Sequence, residues 1–158
     1  MVYIPDSDDE LIMELNREET QNNFLEMAKE FASAEQLMIS FMGIYSQARQ
    51  ANPHLELKTP FVIAQDESQR NLLNGGKLEG IIFECPKTAT IQNGRMGKDF
   101  IKFDKLYLPS GIPFLNVNPN PIIYSGISQD AINYSGTWEF NSYIGDMCKT
   151  GNFQLQRV

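Results

Sequence analysis

One histidine and two cysteines limit the chemistry this chain of 158 residues can perform. His54 follows Pro53 where one pattern of apolar spacing gives way to another, and a lone imidazole there is more often a surface or capping group than a base. Cys85 and Cys148 form no CxxC pair, and neither lies near His54 in sequence. No GxSxG elbow occurs, so a nucleophile would have to be assembled entirely in space. A single imidazole and two separated thiols cannot complete a structural zinc site. The acidic stretch Asp6-Ser7-Asp8-Asp9-Glu10 lacks the glycine and the distal glutamate of a calcium loop, and it suits the first turn of a helix better. No metal and no cofactor is expected. An enzyme remains the second alternative, with carboxylates such as Asp66 and Glu67 converging only in the fold.

The basic residues are more suggestive. Gly94-Arg95-Met96-Gly97-Lys98 has glycines beside cations but is not a P-loop, because Gln92 stands where the first glycine belongs and Asp99 follows the lysine. It matches a short GxxG pattern used to clamp nucleic-acid backbones, yet such loops join helices and these flanks alternate like strands. Asn93-Gly94 instead predicts a hairpin turn within a basic hairpin spanning 87–105. Arg95, Lys98, Lys102 and Lys105 form the candidate anion or partner contact, with Lys87 nearby and Asp99 and Asp104 opposing. A solvated edge strand guarded by lysines is the plainer account.

The elements that must hold these residues divide the chain in two. Phe24, Met27, Phe31, Ala34, Met38, Phe41, Tyr45 and Ala48 recur at alternating intervals of 3 and 4. That 3.5-residue period, free of proline until Pro53, predicts a long helix from about 19 to 50, after a short one near 8–16. Phe24, Met27, Phe31, Met38, Phe41 and Tyr45 make its packing or interface stripe. Gly43 is costly inside a helix and marks a close backbone approach.

Beyond residue 53 the pattern turns to alternation: 55–58, 61–64, 80–85, 88–91, 100–108, 137–144 and 153–158 read as strands. Asp66 to Leu73 reads as a helical turn, and 109–121, rich in proline, glycine and asparagine, as a loop. Ile123-Tyr124-Ser125-Gly126 returns ten residues later as Asn133-Tyr134-Ser135-Gly136, a spacing that suits consecutive strands of a meander. The expectation is a single α+β domain over 1–158. In it, an acidic helical part (1–52) packs on a mainly antiparallel β-sheet built from 53–158.

Charge follows the same division. Residues 1–50 carry ten acids against three bases, whereas 51–158 carry ten of each, so the net −7 lies wholly in the first third. Nothing resembles a secretory leader, and no run of about 18 apolar residues would span a membrane. Sparse cysteine points to a reducing, cytoplasmic compartment or the inside of a virus particle. Absence of chemistry and polarised charge favour a non-enzymatic structural or adaptor subunit of a larger protein assembly, such as a virion or phage component. Its partners would be other protein subunits, self or hetero. The first alternative is a nucleic-acid or phosphate-binding module using the basic hairpin.

Overall fold

A computed structural model describes residues 22–48, 51–52, 54–70, 76–84, 87–107, 120–140 and 149–158. The expected helix near 8–16, the loop 109–119 and both cysteines lie outside these residues. Helix α1 covers 22–34. Among the described residues nine strands follow: β1 (Met38–Ala48), β2 (Glu56–Gln65), β3 (Gly76–Leu78), β4 (Ile81–Phe83), β5 (Thr88–Met96), β6 (Phe100–Tyr107), β7 (Ile122–Ser128), β8 (Asn133–Phe140) and β9 (Thr150–Arg157).

Every pairing is antiparallel, and the sheet closes on itself. Passing round it, β1 pairs β2, then come β4, β5, β6, β7, β8 and β9, and β9 returns to β1. β3 pairs the far end of β5, Gly76 against Met96, so β3 and β4 act as two halves of one stave. The fold is a closed eight-stranded barrel. The expected α+β arrangement, a long helix lying on an open sheet, is therefore incorrect.

The long helix fails because α1 stops at 34 and residues 38–48 are β1. Leu37 N–H donates to the Ala32 carbonyl (2.8 Å) and Gln36 N–H to that of Ser33 (3.1 Å), while Gln36 takes a φ of 58°. This is a Schellman stop, with glutamine in the left-handed position that glycine usually fills. The 3.5-residue stripe runs across that stop by coincidence. Phe24 and Phe31 stack on Phe83 from outside the barrel, at 5.8 and 4.8 Å between ring centroids. Ala28 and Val62 are buried beside them. Met38 is exposed on β1, whereas Phe41 packs within the barrel and Tyr45 against that core. Each large apolar side chain that α1 buries against the wall contributes roughly 1.5–3 kcal/mol. That suffices to hold a helix too short to persist alone.

The expected turn at Asn93-Gly94 is also corrected. β5 runs straight through it, and the register with β6 shifts between Gln92 and Arg95. Asn93, at φ 51°, makes a bulge, and its side-chain amide donates to Asp104 (3.0 Å). The reversal comes later, where Gly97 N–H donates to the Phe100 carbonyl. In the expected turn from Asp66 to Leu73, Glu67–Gln69 form a 3-10 turn, and 71–73 lie outside the described residues.

The barrel is filled, not hollow. Ile63, Ile82, Ile101, Phe103, Tyr124, Tyr134, Phe153 and Leu155 all point inward and are almost fully buried. Room for these rings comes from glycines on the inner face. A Cβ on Gly43 would lie 2.7 Å from the Phe61 ring, and one on Gly136 would collide with the Ser125 carbonyl oxygen. The Tyr-Ser-Gly repeat belongs to this design. β7 and β8 pair with Gly126 opposite Gly136, each tyrosine inward and each serine outward.

Candidate functional site

Two places gather polar chemistry, one inside the barrel and one outside. The inner one begins with β6, whose alternation turns Ile101, Phe103 and Lys105 inward and Lys102 outward. Lys105 is thus 1% exposed, and only its three neighbours Lys102, Arg95 and Lys98 remain on the surface. The four lysine and arginine residues expected to act together are split by the barrel wall.

Lys105 Nζ forms an ion pair with Glu84, which lies just past β4 and is itself buried. Three tyrosines surround the pair. The ammonium stands 4.4 Å from the Tyr45 ring centroid, 4.7 Å from that of Tyr107 and 5.5 Å from that of Tyr124. Its N–H also donates to the Tyr124 hydroxyl oxygen at 3.4 Å. Tyr45 O–H donates to Glu84 Oε2 (2.9 Å), and Tyr107 O–H reaches the same oxygen (2.9 Å). Both carboxylate oxygens are therefore occupied, Oε1 by the lysine and Oε2 by the phenols.

Burial sets the titration behaviour of this cluster. Removal from water pulls the Lys105 ammonium from its ordinary 10.5 down to about 7. The same desolvation raises the Tyr107 and Tyr124 phenols, with the neighbouring Tyr45 adding to both. Tyr107 and Tyr124 therefore hold their protons, and Lys105 is an amine of moderate basicity. A lysine of lowered pKa can serve as a nucleophile when a substrate reaches it. Here the amine is walled in by three rings and held by Glu84, so the geometry describes a satisfied structural network.

The outer place is a row of cations. Lys77 on β3 lies directly opposite Arg95 on β5, and Arg95 opposite Lys102 on β6. All three are exposed, and Lys98 stands in the following turn. Lys77 has a partner in Glu79 at 2.8 Å. Among the described residues Arg95, Lys98 and Lys102 make no ion pair. Asp104 is engaged by Asn93, and Asp99 is exposed in the turn. Like charges facing each other across strands cost a few tenths of a kcal/mol or more, and an arriving anion would relieve that cost. Across the wall the row continues from Lys102 to Ser125, Thr137 and Asn152. These last three help line a shallow saddle together with Gly126, Ile127 and Phe153.

The remaining features are quieter. Asp66 caps its own 3-10 turn, accepting from Gln69 N–H and from the Ser68 hydroxyl. His54 N–H donates to Asn52 Oδ1 in an exposed turn. A groove of about 570 Å³ beside α1, with Met42, Ile44, Pro60 and Gln154 in its walls, contains no charged residue among the described ones. No helix among the described residues is long and apolar enough to cross a membrane.

Lys105, Glu84 and the three tyrosines meet through closure of the sheet; from sequence, Lys105 was placed in the basic contact, Tyr45 in the helix stripe and Tyr124 in the Tyr-Ser-Gly repeat, and nothing joined them. No family model matches the chain, and searches of curated proteins and solved structures return no significant match.

Proposed function

We propose that this chain is a non-enzymatic structural or adaptor subunit that works through contacts with other protein chains, copies of itself included. The observation that carries the reading is where its reactive groups sit. The buried Lys105–Glu84 pair is enclosed by the barrel and satisfied by its own tyrosines. What faces outward is suited to contact: a row of cations in which Arg95, Lys98 and Lys102 make no ion pair among the described residues, and apolar side chains such as Ile127 and Met42, exposed on the wall. A closed barrel suits such a role, since it leaves almost no free strand edge for unwanted pairing and presents its wall as a rigid platform. Native gel filtration of a source-cell extract, with detection of the tagged chain, tests this reading. Elution well above 18.0 kDa is expected. Elution at the mass of the lone chain would refute it.

A further inference from the structure

Resting on that reading, the charge pattern identifies one contact. We infer that the row Lys77–Arg95–Lys102, with Lys98, receives the acidic segment 1–21 of a second copy of the chain. Each side of this contact is visible separately. The row places cations on three neighbouring strands of a rigid wall, about 5 Å apart from strand to strand, and Arg95, Lys98 and Lys102 lack carboxylate partners among the described residues. Segment 1–21 carries Asp6, Asp8, Asp9, Glu10, Glu14, Glu18 and Glu19 against the single base Arg17.

Charge is matched by apolar and hydrogen-bonding character. The acids of the segment are interleaved with Leu11, Ile12, Met13 and Leu15. Beside the cations, Ile127 is 66% exposed on β7, and Ser125, Thr137 and Asn152 continue the row with groups that donate to carboxylates. A head-to-tail contact between the acidic segment of one copy and the basic row of the next extends into rings or filaments.

Charge exchange tests the contact in the full chain. Sedimentation velocity would compare the native protein with Arg95→Glu/Lys102→Glu, with Glu10→Lys/Glu14→Lys, and with all four changes in one chain. Each pair alone should weaken self-association at least about tenfold, and the four together should restore most of the loss. Circular dichroism would establish that every variant keeps its strand content. Undiminished association in both pairwise variants overturns this contact while leaving the assembly reading standing. A native protein that sediments as an 18.0 kDa monomer at every concentration removes both. Tight retention of a 20-base-pair DNA duplex by the native chain, lost in Arg95→Glu/Lys102→Glu, would reassign the row to nucleic acid and overturn the inference.

Discussion

Replacing Lys105 by methionine keeps the length and much of the volume of the side chain but removes the cation paired with Glu84. Among the described residues the carboxylate would then keep tyrosine hydroxyls as its partners. Breaking a buried ion pair from one side costs roughly 3–5 kcal/mol. Lys105→Met should therefore lower stability by that amount at pH 6, below the point near 7 where the folded amine gives up its proton. Adding Glu84→Gln should recover most of the loss, since the stranded charge is gone. Urea unfolding of the four proteins in the cycle gives the coupling directly. The pH dependence has a definite sign. The folded amine titrates near 7 and the unfolded one near 10.5. Between these values the unfolded state binds more protons, so the stability of the native protein rises with pH, by at most about 1.4 kcal/mol per pH unit. The double variant lacks this rise. Above pH 10 the sign reverses, because Tyr107 and Tyr124 hold their protons in the fold and lose them when unfolded. A Lys105→Met chain as stable as the native one, or identical pH profiles for native and double variant between 7 and 10, would refute a coupled, structural cluster.

Other substitutions test the barrel itself. A Cβ at Gly136 has no room beside the Ser125 carbonyl, so Gly136→Ala should cost about 2 kcal/mol or more in thermal or urea unfolding; a neutral result would contradict the close β7–β8 approach. Gln36 holds a φ of 58° at the end of α1, and Gln36→Gly should stabilise by about 0.5–1 kcal/mol, raising the melting temperature by a few degrees. A decrease would show that Gln36 does not adopt that conformation.

Much of the strand content was legible because alternation is a local signal, and the repeat of Tyr-Ser-Gly registered two strands that do pair. The closure was not legible, since it depends on β9 meeting β1 across more than a hundred residues. The helix was overextended for a specific reason. Its stop uses Gln36 instead of glycine, and Phe41 and Tyr45 happen to continue its spacing in a strand. Gly43 was the local warning, a residue poorly suited to a helix and placed where a side chain would strike Phe61. Lys105 was grouped with surface lysines, although it shares parity in β6 with Ile101 and Phe103 and not with Lys102. That parity was available in the sequence. Its partner Glu84 was not, because an acid in an apolar run gives no sign of which cation it will meet.

Light scattering of the purified chain, at about 0.1 mM protein and at low and high salt, bears most directly on the claim that the protein acts through its outer surface. A mass of several times 18.0 kDa at low salt, falling as salt screens the basic row, is the predicted result. A mass of 18.0 kDa at both salt concentrations would contradict self-assembly.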